Sequence, residues 1–146
     1  MREYYLREVE KPSEVLSLLK YIDTDEINDE YWARMTENIY NPDYLVIGIF
    51  RVISCKTCIV KWKSEMIGFI NIKWHQEDNE FDVLTLSLDT GCDNEIGDLI
   101  GKYLKSKAKL HGVKKIKFHS KIRPKAWYEE FLNSEFDEYG TYVLEV

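Results

Sequence analysis

Apolar residues follow two spacings along the chain, and the switches between them divide it into elements. Residues 3–9 (EYYLREV) are rich in β-formers and predict a first strand. Pro12 and Ser13 introduce SEVLSLLKYI, where Ser13 is placed to cap a helix and Val15, Leu18, Leu19 and Ile22 share one face. A second helix is predicted over residues 29–39, with Tyr31, Trp32, Met35 and Ile39 at helical spacing. Tyr40-Asn41-Pro42-Asp43 ends it, because proline cannot continue a helix and Asn and Asp favour turns.

The middle of the chain reads as strands over residues 44–52, 58–63, 66–74 and 81–89. Lys63-Ser64-Glu65 predicts a hairpin connection, and the polar stretch 75–80 a second tight link, so the strands form an antiparallel meander. Residues 93–111 then predict a long helix with Ile96, Leu99, Ile100, Tyr103, Leu104 and Leu110 on one side. Asp93, Glu95 and Asp98 lie in its first turns and lysines in its last, as the helix dipole favours, and Gly112 suits the left-handed residue beyond its end. Residues 113–120 form a further strand, so 81–120 reads as a right-handed parallel crossover. Pro124 opens a short helix reaching Leu132, and residues 141–146 close as a strand. The fold class is therefore α/β (α+β), a mixed, mostly antiparallel central sheet flanked by helices, expected to form one domain over residues 1–146.

Composition narrows the function classes. The 146 residues are 45% hydrophobic and 32% charged, which suits a globular core and argues against disorder. A net charge of -6 disfavours a nucleic-acid partner held by bulk electrostatics. Lysines and one arginine nevertheless cluster between Lys102 and Lys125, either as a solvated helix face or as a patch for an anionic ligand. No apolar run reaches the roughly 18 residues of a membrane span. Three cysteines without a secretory signal lead us to expect reduced thiols in the cytoplasm.

The order strand, two helices, meander, long helix, strand, helix, strand resembles the GCN5-related N-acetyltransferase (GNAT) family. The motif-level resemblance lies in residues 84–140. Cys92-Asp93-Asn94-Glu95-Ile96-Gly97 occupies the place of the family's Q/R-x-x-G-x-G/A loop, with Gly97 matching the last position. In the family the amides of that loop and the start of the long helix hold the pyrophosphate of acetyl-CoA, a use of orphan N–H groups and helix dipole. Cys92 stands for the Gln or Arg and Glu95 for the first glycine, so side chains and negative charge replace close approach.

The resemblance implies acetyl-CoA as cofactor, with Asp93, Asn94, Glu95, Ile96 and Gly97 at the pyrophosphate. It also implies a strand that splays from its neighbour, so that the backbone of Leu86 and Leu88 lines the pantetheine. Ala126-Trp127-Tyr128-Glu129-Glu130-Phe131 followed by Glu135-Phe136 resembles the family's late helix and Gly-Phe pair, which makes Tyr128 the implied general acid. As bases, Asp82 and Glu80 are candidates by location at a strand edge. The implied activity is direct acyl transfer to a small-molecule or peptide amine acceptor. The eroded loop leaves open a catalytically inactive GNAT-fold binding or regulatory module. A homodimer is an expectation from the short final segment.

Other constellations point less far. Cys55-Lys56-Thr57-Cys58 is a lone pair with no second pair at zinc-site spacing, and reads as a turn. His75, His111 and His119 have no metal-ligand spacing and read as surface or partly buried polar residues.

Overall fold

The computed structural model describes residues 3–11, 13–16, 29–54, 62–88, 95–119, 135–136 and 141–145. These form β1 (Glu3–Glu8), α1 (Ser13–Leu16), α2 (Asp29–Tyr40), β2 (Tyr44–Ser54), β3 (Trp62–His75), β4 (Glu80–Leu88), α3 (Glu95–Leu110), β5 (Lys115–His119), β6 (Glu135–Phe136) and β7 (Thr141–Glu145). The strands make one seven-stranded sheet in the order β1-β2-β3-β4-β5-β7-β6. Every pairing is antiparallel except β4 with β5. The parallel pair is the one joined through α3, as a strand–helix–strand crossover requires.

Continuous apolar runs arise because both faces of the sheet are covered. On β2, Leu45, Ile47 and Ile49 pack under α3 with Ile96, Ile100, Leu104 and Ala108. Val46 and Phe50 alternate to the other face, where Met66, Phe69 and Ile39 of α2 meet them. Leu110, expected on the buried side of α3, is 80% exposed. The buried row runs at steps of four residues, so it precesses around the helix, and by the last turn Ala108 has taken the inward place.

The expected hairpin at Lys63-Ser64-Glu65 is not a turn. These residues lie inside β3 and pair with Ile53, Val52 and Arg51, so residues 62–75 are one strand. Ladder pairing with β2 carries this polar run within the strand, and Arg51 Nη2 donates to Glu65 Oε2 at 3.3 Å. The second link is as expected: residues 76–79 turn between β3 and β4, and Asn79 takes φ 55°, a left-handed value that asparagine tolerates. Gly112 likewise has φ 70° beyond α3. The expected later part of the first helix, the expected Cys55–Cys58 turn, the His119 side chain and the helix expected over 124–132 lie outside the described residues.

At the start of α1 the Glu14 carboxylate ties the incoming chain to the helix. It takes the backbone N–H of Glu10 at 3.0 Å and the Arg7 guanidinium at 2.5 Å. The Arg7 hydrogen bond, ahead of burial, holds the Glu14 carboxyl below its usual 4.5. A depressed carboxyl pKa stabilises the fold fully above the unfolded value and ceases to do so as pH falls through the folded one. Acid titration of wild type should therefore lose a stabilising contribution below pH 4.5 that Glu14→Gln lacks. Parallel acid unfolding curves for the two proteins would contradict this.

Candidate functional site

The sheet slips register between β2 and β3 at Ile49/Phe50, and again between β3 and β4. Asn71 pairs with Thr85 and Ile72 with Val83, so Leu84 is an extra residue, a β-bulge. The bulge shifts the inward phase from Phe81 and Val83 to Leu86 and Leu88, all of which pack toward α3. Leu84 is left 38% exposed.

The bulge coincides with the end of the parallel ladder. Glu80, Phe81, Asp82 and Val83 pair with Lys115, Ile116, Lys117 and Phe118, and pairing then stops although β4 continues to Leu88 and β5 to His119. Among the described residues, β5 takes none of the backbone groups of β4 from Leu84 onward. Beyond that point the β5-side edge of β4, termed the wedge below, has no β5 pairing among the described residues.

α3 begins at Glu95, seven residues after β4 ends at Leu88. Ile96 is 1% exposed and belongs to the core, so only its backbone is available to a ligand. Gly97 is buried in the first turn. Lys102 Nζ, one turn further along the helix, donates to Asp98 Oδ2 at 3.2 Å. Asp93, Asn94 and Tyr128 lie outside the described residues, as does the Glu95 side chain.

Asp82 lies in the paired part of β4 on the face away from α3, since its neighbours Phe81 and Val83 point inward. Its ladder partners are Lys73 on β3 and Lys117 on β5. His75 Nε2 stands 3.7 Å from Asp82 Oδ2, and Lys117 Nζ is 3.0 Å from Glu80 Oε2. Glu80 thus pairs with Lys117 and Asp82 faces His75, with Asp82 two residues before the bulge at Leu84.

The basic stretch divides between elements. Lys102 meets Asp98, Lys107 meets Glu8 at 3.4 Å and Lys117 meets Glu80, so carboxylates of the chain itself occupy these three. His111 serves packing: its Nδ1–H donates to the Lys107 carbonyl at 2.9 Å, and its ring meets Trp74 edge-on at 4.7 Å. Burial, with a smaller contribution from Glu8, pushes the Tyr103 hydroxyl up to about 12. A groove of about 500 Å³ between Glu8, Glu10, Tyr40 and Tyr44 lies on the β1–β2 side of the sheet, with β3 between it and β4.

The family resemblance implied that β4 parts from its neighbour, but the bulge at Leu84 was not placed from the sequence. Its signal is the spacing of inward residues 81, 83, 86 and 88 in FDVLTLSL, where strict alternation slips by one.

No family profile matches the chain, and no curated protein matches it. Solved structures do. Aminoglycoside 6'-acetyltransferase type Ii superposes with a TM-score of 0.64 at 16% identity, covering 95% of this chain and 93% of that one. The ribosomal-protein-S18-alanine N-acetyltransferase from Escherichia coli gives 0.61 at 12% identity, covering 97% and 89%. An aminoglycoside 6'-N-acetyltransferase complexed with coenzyme A gives 0.55 at 16% identity over 77% of this chain. This chain spans 59% of that enzyme, and 59% of its counterpart from Enterococcus faecium. The fold is that of the GCN5-related N-acetyltransferases.

Proposed function

We propose, starting from this fold, that the chain is an acyl-CoA-dependent N-acyltransferase that uses acetyl-CoA and transfers the acyl group directly to an amine. The observation that carries the reading is the ladder that ends at Val83 and Phe118 while β4 runs on to Leu88. Pantetheine contains amide groups, which hydrogen-bond to a free strand edge as a peptide would. The backbone of Leu86 and Leu88 is on that edge, and the N–H groups of Glu95, Ile96 and Gly97 at the start of α3 suit the pyrophosphate.

When bound, acetyl-CoA supplies a thioester whose acyl carbon is open to attack. The amine nitrogen forms the C–N bond as the C–S bond breaks. One proton leaves the nitrogen for the Asp82 carboxylate, and the Tyr128 hydroxyl gives one to the departing sulfur. Asp82 then releases its proton to solvent and Tyr128 regains one from it.

Calorimetric titration with acetyl-CoA tests this reading. Micromolar binding is expected for wild type, weakened at least about tenfold by Gly97→Trp and kept by Tyr128→Phe. Tyr128→Phe should lower the transfer rate by about 10²–10⁴. Unfolding midpoints of both variants separate loss of the site from loss of the fold. No heat at about 1 mM acetyl-CoA would reject the transferase and leave a binding or regulatory module on the same fold.

A further inference from the structure

The groove between β1, β2 and the end of α2 holds about 500 Å³, the size of a small-molecule site. β3 lies between it and β4, so it is separate from the wedge. Val9 and Val46 are buried at its base, with Ile39 packed against them. Tyr40 also lines it and is 69% exposed, an uncovered ring beside an apolar base.

A shortage of donors decides what the groove can hold. Backbone N–H groups around it are already committed. Val9 donates to the Val46 carbonyl at 2.8 Å and Glu10 to the Glu14 carboxylate at 3.0 Å. Asn41 donates to the Asn38 carbonyl at 3.2 Å and Tyr44 to the Asn41 carbonyl at 3.0 Å. Pro42 has no N–H. The donors that remain are the Asn41 carboxamide and two tyrosine hydroxyls, and hydroxyls accept as well as donate.

Acceptors, by contrast, are plentiful. The last carbonyls of a helix lack helical partners, and the last turn of α2 carries no basic residue to offset its negative end. Glu8 and Glu10 add two carboxylates. Lys107 meets Glu8 from α3, whereas Glu10 forms no ion pair among the described residues. Among those residues no group of three His, Cys, Asp or Glu side chains could hold a metal ion. An organic cation with an apolar part is what the walls and base fit together.

We propose that this groove binds a small molecule carrying a guanidinium group on an aliphatic stem. A guanidinium has five N–H donors in one plane and no acceptor, so it matches walls rich in acceptors and poor in donors. It pairs bidentately with the Glu10 carboxylate while its face lies on the Tyr40 ring. Lys73 Nζ already stands 6.0 Å from the Tyr44 ring centroid, which leaves Tyr40 as the ring for a new cation. Weaker hydration lets a guanidinium enter a half-apolar groove more readily than an ammonium, and the stem covers Val9 and Val46. A peptide would bring carbonyl groups into a groove with few donors for them. The site stands whether or not the chain transfers acyl groups.

The test is amide NMR of the ¹⁵N-labelled protein titrated with n-butylguanidine to about 50 mM, the range for a fragment held by few contacts. Amides of residues 8–10 and 39–46 should move, and those of β4 should stay. n-Butylurea, close in shape but uncharged, should move none of them, and n-butylamine should bind at least about threefold more weakly. Glu10→Gln should weaken n-butylguanidine at least about fivefold, and Tyr40→Ala about two- to fivefold, as loss of an exposed cation–π contact predicts. Both side chains are exposed, so the spectra of the variants away from the groove should match wild type. N-acetylarginine amide should bind more weakly than n-butylguanidine. Equal or tighter binding would give the groove to an arginine of a partner protein and overturn the small-molecule assignment. Shifts that appear equally with n-butylurea, survive Glu10→Gln or fall outside the groove would overturn the site itself.

Discussion

Replacing Phe81 by alanine is expected to remove about 3–5 kcal/mol of folding stability. The ring is fully buried on β4, between Trp74 on β3 and Ile116 on β5 in the ladders, and meets His111 edge-on at 5.8 Å. It therefore ties three strands to the end of α3, where His111 follows the helix. Strands hold the surrounding backbone, so the space cannot close by collapse, and the cavity adds to the lost transfer energy. A domain of this size is stable by about 5–15 kcal/mol, so the variant should sit close to unfolding. Urea denaturation checks this: the midpoint should fall with the slope unchanged. Phe81→Leu should lose less than half as much. A loss below about 1 kcal/mol for Phe81→Ala would mean that the ring is not part of a close-packed core.

Gly48→Val is expected to cost about 1–3 kcal/mol through overpacking. A Cβ at Gly48 would lie 2.6 Å from Phe50 Cε2 and 2.9 Å from Met66 Cε. The methionine end can swing aside, but the phenylalanine ring is held. Tyr5 stacks on it with centroids 5.1 Å apart, and the Arg7 guanidinium stands 4.4 Å from its centroid. Arg7 is in turn fixed by Glu14 at the start of α1. Moving the ring therefore disturbs the contact between the edge strand and the first helix. Thermal unfolding should show Gly48→Val well below wild type, with Gly48→Ala between. Adding Phe50→Leu to Gly48→Val should restore part of the loss, because the clash lies with that ring. A double variant no more stable than Gly48→Val would place the strain elsewhere.

The proposed sites were legible to different depths. Asp82 could be named from its place at a strand edge, and the structure puts it on the face away from α3, two residues before the bulge. The groove could not be named. Glu8 and Glu10 read as polar residues at the end of a strand and Tyr40 as the close of a helix, with nothing in either window to join them. Only the pairing of β1 with β2, and the packing of Ile39 against Val9 and Val46, bring the strand end and the helix end to one groove.

By itself the sequence determined the opening succession of strand, helix, helix and strand, the parallel crossover through α3, the turn at 76–79 and the left-handed Gly112. Each of these follows from local spacing, a single residue's φ range or the length of a connection. It misread Lys63-Ser64-Glu65 as a turn, because polar residues at a strand's solvent positions look like a loop until the ladder partners are known. Tertiary structure decided which apolar positions on α3 face inward, where the β4 register slips and where β4 parts from β5. Those features arise from competition between hydrogen-bond partners that lie far apart in the chain, and no local window of sequence contains both sides of that competition.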